Sequence, residues 1–145
     1  MTIKSRSAYE TQKLGISLAK KLSGGEIILL HGNLGAGKTT FVQGLAKGLG
    51  VKGRVTSPTF ILVRKHEIPK ESLIFWHIDL YRMADEEEIT GLGLSDLWPD
   101  KKNVVVIEWP EKIEKVLPEK RIEIDFRVIS ETEREIEVRN LEIRN

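Results

Sequence analysis

The short apolar run Glu26-Ile27-Ile28-Leu29-Leu30 opens into Gly32-Asn33-Leu34-Gly35-Ala36-Gly37-Lys38-Thr39, and helical periodicity resumes at once in Phe41, Val42, Leu45, Ala46 and Leu49. A run of that length bounded by glycines predicts a strand covered on both faces. The chain therefore reads strand, glycine loop, helix, and no other stretch limits its fold as much. The eight residues satisfy G-x-x-x-x-G-K-[ST] at every fixed position, in the strand-to-helix context that the motif requires. Glycines there let successive backbone N–H groups converge on phosphate oxygens, and the positive end of the following helix adds to the field. Lys38 is then placed to bridge β- and γ-phosphates and Thr39 to offer its hydroxyl to Mg²⁺. The segment predicts nucleotide phosphate binding; the plain alternative is a glycine-rich turn with a solvated lysine.

Around this unit the periodicity predicts a helix over 8–22, opened by a Ser7-Ala8-Tyr9-Glu10 capping box and stopped by Ser23-Gly24-Gly25. The helix after the loop runs from Thr39 and is closed by Gly48 and Gly50. Thr59 to Val63 and Leu73 to Leu80 read as strands of a hairpin across a polar connection, Lys65 to Ser72. Asp85-Glu86-Glu87-Glu88 reads as the acidic first turn of a short helix ended by Gly91 and Gly93. Val104 to Ile107 is a second run suited to a central strand, and Ile122 to Val128 with Ile136 and Val138 alternate as a closing antiparallel hairpin.

With 145 residues, the chain is the size of one domain, spanning 1–145. Its 40% hydrophobic content is enough for a core, and a net charge of +1 gives no field to hold RNA or DNA by itself. The absence of cysteine removes disulfides, thiolate metal sites and thiol nucleophiles together. Met1 to Ser7 has no apolar stretch of the kind a signal peptide needs, and no run approaches a membrane-spanning length. The expected location is the cytoplasm.

A phosphate loop needs acidic help for its metal, and Asp79 and Glu108 each close an apolar run, so both are expected at strand ends. Glu108 follows the cleaner run and is the better metal-binding candidate, with Asp79 as a second orienter of metal or water; otherwise each is merely the first solvated residue after its strand. Thr56-Ser57-Pro58-Thr59 gathers hydroxyls where a segment sensing the γ-phosphate would lie, or else is an ordinary Ser-Pro turn. Trp109, expected to be exposed at a strand end, either covers a base or partner surface or is a core tryptophan. His31, His66 and His77 have no metal-ligand spacing and read as structural or surface residues. The guanine-reading tetrapeptide Asn-Lys-x-Asp is absent, which favours adenine.

Taken together, Gly32 to Thr40, Thr56-Ser57-Pro58-Thr59-Phe60, His77-Ile78-Asp79-Leu80-Tyr81-Arg82 and Ile107-Glu108-Trp109-Pro110 resemble the TsaE family, the ATPase of bacterial tRNA threonylcarbamoyladenosine synthesis. The likeness runs from the Thr11 region to about residue 128, and the order and spacing of four motifs make it far more specific than the glycine loop alone. It implies a single-domain α/β P-loop NTPase fold with a mixed β-sheet flanked by helices. It further implies an ATPase that binds ATP or ADP with Mg²⁺ and works with TsaB and TsaD on adenosine 37 of tRNAs reading codons that begin with A, without itself transferring the group. By the same resemblance Lys38 and Thr39 hold phosphate and Mg²⁺, and Asp79 and Glu108 complete the metal and water arrangement. Thr11, Thr40 and Trp109 match positions near the nucleotide, and 56–60 resembles a switch loop. A near-neutral chain meets tRNA only through its partners, with no part for DNA or membrane.

Two other readings fit the glycine loop. A small-molecule kinase needs an acceptor pocket and usually an arginine-bearing lid, whereas Arg54, Arg64 and Arg82 are scattered singly. A nucleotide-gated binding module would use occupancy alone to drive assembly, with hydrolysis incidental.

Overall fold

The computed structural model describes residues 1–52, 63–83 and 86–141. Strands β1 (Thr2–Ser5), β2 (Ile27–His31), β3 (Val63–Ile68), β4 (Leu73–Asp79), β5 (Asn103–Glu108), β6 (Ile122–Val128) and β7 (Arg134–Arg139) form one seven-stranded sheet, ordered β1-β7-β6-β2-β5-β4-β3. The central four, β6, β2, β5 and β4, are mutually parallel, while β1, β7 and β3 add antiparallel edges. Among the described residues, three α-helices accompany it: α1 (Ala8–Ala19), α2 (Lys38–Leu49) and α3 (Glu86–Thr90). This is the mixed-sheet α/β fold that the sequence predicts.

The continuous apolar strands are explained by two cores. Ile28, Leu30, Val104 and Val106 face α1 and α2, while Ile27, Leu29, Val105 and Ile107 face Ile89 of α3, Leu94 and Ile113 on the opposite side. Strand period 2 sends alternate side chains to opposite faces, so a strand covered on both must be apolar throughout. Between α1 and α2 the backbones touch: a Cβ on Gly44 would lie 2.0 Å from the Gln12 carbonyl oxygen, and one on Gly15 would lie 2.3 Å from that of Phe41. This close crossing fixes where the start of α1 sits relative to the glycine loop.

Several boundaries differ from expectation, each for a local reason. Ser7 caps α1 by accepting from the Glu10 N–H, but the Glu10 carboxylate accepts from the N–H of Arg6 rather than Ser7. The helix stops at Ala19 instead of residue 22: the N–H groups of Lys21 and Leu22 donate three residues back, to Leu18 and Ala19, and those of Ser23 and Gly24 then go to the Glu26 carboxylate. Gly48 lies inside α2, tight against Ala19 of α1, and the left-handed cap is Gly50 alone. Lys65 to Ile68 continue β3 instead of forming a connection, which shrinks to a 3₁₀ turn at Pro69–Glu71. β3 is an edge strand, and an edge tolerates polar side chains that a central strand would not. β1, short and polar, pairs with β7 at the other edge and carries no periodic signal of its own. The acidic turn forms as α3, with Asp85 outside the described residues, and the closing hairpin forms as β6 and β7 within the main sheet.

Candidate functional site

The parallel strands all end at one edge of the sheet, and there the chemistry collects. His31 at the end of β2 leads into the glycine loop; Gly37, at φ 104°, turns the chain in a left-handed conformation that only glycine adopts easily, and α2 starts at the next residue. Lys38, Thr39 and Thr40 form the first turn of α2 and line a cleft of about 450 Å³. Lys38 is only 4% exposed; its Nζ donates to the Gly32 carbonyl at 2.6 Å and lies 4.0 Å from the centre of the Trp109 ring. Burial pushes the Lys38 ammonium pKa down, and the carboxylates of Glu108, Asp79 and Glu111 pull it back up.

Those carboxylates are neighbours by register. Asp79 ends β4, Glu108 ends β5, and the two residues pair directly across the parallel ladder. Burial raises the Asp79 pKa above the ordinary aspartate value and the nearby Glu108 adds to the rise, opposed by the Tyr81 N–H that donates to Oδ1 at 3.0 Å. Glu108 is 3% exposed, and its Oε2 stands 2.7 Å from Nε2 of the fully buried His77. Among the described residues, no cluster of three or more His, Cys, Asp or Glu side chains is arranged to hold a metal by itself. Two carboxylates and the Thr39 hydroxyl at one cleft could instead hold a hard cation such as Mg²⁺ together with a ligand's phosphates, since that ion takes oxygen ligands and is commonly bound by one or two carboxylates.

Trp109 follows Glu108 in a left-handed backbone conformation (φ 61°, ψ 49°), which costs a non-glycine residue on the order of 1–3 kcal/mol. It is half-buried rather than exposed, packed against the core beneath the sheet and 5.0 Å from the Tyr81 ring. The twisted backbone delivers the indole to the cleft over Lys38. On the far wall Thr11 of α1 is buried, its hydroxyl 2.7 Å from that of Ser5. Of the loop residues, Leu34, Gly35 and Gly37 line the cleft; Gly32, Asn33 and Ala36 do not, Asn33 being exposed and Ala36 inside the core with its N–H donating to the Asn33 carbonyl. The Thr56 to Phe60 segment lies outside the described residues.

The model of the TsaE family, described as threonylcarbamoyl adenosine biosynthesis protein TsaE, matches residues 5–136. The chain belongs to the TsaE family. The matched span takes in every residue lining the cleft, from Ser7 to Arg134. Among TsaE relatives, the tRNA threonylcarbamoyladenosine biosynthesis protein TsaE of Treponema pallidum (strain Nichols) is 40% identical over 134 residues, covering 92% of this chain and 96% of that protein. The protein of the same name in Bacillus subtilis (strain 168) is 38% identical over 135 residues, 93% of this chain and 80% of its own. The crystal structure of Bacillus subtilis YdiB superposes with a TM-score of 0.75 at 30% identity, covering 94% of this chain and 82% of that one.

Sequence reasoning missed the part of Arg134, which lines this TsaE cleft with its turn neighbours Glu131 and Thr132, and that of His77, buried behind the cleft. Arg134, at the start of β7, donates to the carbonyls of Ser130, Glu131 and Glu133 in the β6–β7 turn and, at 3.1 Å, to that of Gly35, clasping the turn to the glycine loop. A single arginine in a polar turn carries no signal in one sequence. His77 did carry one: two residues before Asp79 in a strand, it shares Asp79's face. The other histidines lie elsewhere, His31 paired with Glu123 and His66 stacked on Phe75.

Proposed function

We propose that this TsaE-family chain is a Mg²⁺-dependent ATPase acting in the threonylcarbamoylation of adenosine 37 in tRNAs that read codons beginning with A. The observation that carries the reading is the meeting of Lys38, Thr39, Asp79 and Glu108 in one cleft at the carboxyl edge of a parallel sheet, where α/β proteins bind ligands. The pathway comes from the family and from the names of its relatives. The chain is a single domain that works in the cytoplasm with TsaB and TsaD, which hold the tRNA; its net charge of +1 leaves RNA binding to those partners. Among the described residues, no helix is long and apolar enough to cross a membrane.

The mechanism follows from the side chains. Backbone N–H groups of the loop and of the first turn of α2 receive the phosphates. Lys38 exchanges the Gly32 carbonyl and the Trp109 face for the β- and γ-phosphate oxygens. Thr39, Glu108 and Asp79 are the oxygen donors that would hold Mg²⁺, which would supply charge neutralisation at the phosphates. The two carboxylates also orient the water whose oxygen bonds to the γ-phosphorus as the bond to the β-bridging oxygen breaks, leaving ADP and phosphate. Thr11, Thr40 and Trp109 flank the nucleotide.

The test is Mg²⁺-dependent ATP hydrolysis by the purified chain, alone and with TsaB plus TsaD, with Lys38→Ala as the control. A rate that rises with both partners and vanishes in the variant supports the reading. Bound ATP without partner stimulation overturns the partner-coupled ATPase and favours nucleotide-gated binding; a phosphorylated metabolite would make the chain a kinase.

A further inference from the structure

His77 is wholly buried on β4, in register with Val106 of β5, on the face that α2 covers. Phe75 and Val106 around it are apolar and belong to that core, so leucine would pack as well at this position. What histidine adds is a ring nitrogen, Nε2, 2.7 Å from Glu108 Oε2. An ionised carboxylate only accepts hydrogen bonds, so the shared proton sits on Nε2. The other nitrogen, Nδ1, is buried with no hydrogen-bond partner among the described residues. As a bare acceptor it costs less to bury there than an unpaired N–H would.

We infer that His77 is a positioning residue: its Nε2–H pins Glu108 Oε2 and so aims the remaining oxygen, Oε1, at the metal and water of the cleft. The inference rests on the reading of the cleft as a Mg²⁺-nucleotide site and says how its carboxylate is aimed. Carboxylates that ligate metals are themselves held by hydrogen bonds, and losing such a partner typically costs about 10–100-fold in metal affinity. Glu108 is joined to His77 by the shortest side-chain contact either residue makes, along a diagonal of two rigid parallel strands, so its rotamer is set before any ligand arrives.

The experiment compares wild type, His77→Leu, which removes the donor, and His77→Gln, whose amide N–H reaches a similar point. Binding of a fluorescent ADP analogue is followed across a Mg²⁺ titration and in EDTA. The expected result is a half-saturating Mg²⁺ concentration raised about 10–100-fold in His77→Leu, recovered in His77→Gln, with binding in EDTA the same in all three. Independently of folding in the variants, long-range ¹H–¹⁵N spectra of the wild-type chain should show His77 as the Nε2–H tautomer, with its Nε2 signal displaced in Glu108→Gln. An unchanged Mg²⁺ dependence in His77→Leu, equal defects in both His77 variants, or an Nδ1–H tautomer overturns the positioning role. Wild-type nucleotide binding that ignores Mg²⁺ overturns the metal-nucleotide reading itself, which is a different result from a Mg²⁺-dependent wild type with indifferent variants.

Discussion

The sheet carries a cleft at each end, and the two differ less in size than in how their polar groups are treated. The cleft at the carboxyl ends of the strands is about 450 Å³; the one at their amino ends, under Trp98 and beside Gly24, is about 510 Å³. At the amino end Glu26, Trp98 and Arg121 are each answered from within the chain. Glu26 accepts from Ser23 and Gly24, the Trp98 indole donates to the Val116 carbonyl, and Arg121 donates to the Pro118 carbonyl and lies against Glu123. At the carboxyl end Lys38 is buried and Asp79 half-buried at the expense of their charged forms, and Trp109 adopts a left-handed backbone beside them. Volume does not separate the two ends. The direction of the titration shifts does: Lys38 and Asp79 are pushed toward their neutral forms, whereas Glu123 is held toward its charged one, and groups held against their charge gather where a site is kept ready for a ligand.

The sharpest way to break this comparison is to remove one cation from each end. Lys38→Ala should lower ATP hydrolysis roughly 10²–10³-fold or more, the scale of losing one preorganised donor at a transition state, whereas Lys101→Ala at the amino end should leave the rate within error. Steady-state phosphate release measures both. Next in size is the helix crossing that seats α1 against the loop. Gly44→Ala puts a methyl 2.0 Å from the Gln12 carbonyl oxygen, so α1 must move, and urea unfolding should show a loss of about 1–3 kcal/mol. Because α1 brings Ser7 and Thr11 to the cleft, ADP affinity should fall with it. Glu26→Gln removes an acceptor charge from two backbone N–H groups at the amino end; it should cost about 1–3 kcal/mol of stability and leave ADP affinity unchanged.

The same contrast governs what the sequence disclosed. Glu26 to Thr39 could be read outright, because a buried parallel strand must be apolar on both faces and a phosphate loop must be glycine-rich at fixed spacing. Asp79 and Glu108 were legible as residues ending apolar runs, but their pairing needed the register of β4 against β5, which a single sequence does not encode. The polar edge strands β1 and β3 were not legible, since an edge tolerates the polar residues that otherwise mark a connection. Arg134 reaches the glycine loop through the Gly35 carbonyl, which only folding brings to it. His77 lay within reach: it looked structural for want of metal-ligand spacing, when the spacing that mattered was the strand's own period of two, placing it on the same face as Asp79.

The smallest effect sets one carboxylate from the site against one from the scaffold. Burial raises the Asp79 pKa above its ordinary 3.8, so the folded state favours the protonated form and loses stability as pH rises from that value through the folded one. For Glu123, burial is outweighed by the hydrogen bond with His31 and the charges of Arg121 and Arg139, and the pKa falls below 4.5. Its contribution is therefore present above pH 4.5 and lost as pH drops through the lower folded value. Asp79→Asn, which keeps an acceptor for the Tyr81 N–H, should stabilise the chain at neutral pH, with the gain fading as pH falls through the raised folded pKa and gone below 3.8. Glu123→Gln should destabilise it at neutral pH and converge on wild type in acid. Denaturant midpoints across pH 3 to 7 would separate the two. Opposite signs mean that a site carboxylate is held against stability and a scaffold carboxylate for it; matching signs would show that Asp79 is an ordinary structural acid.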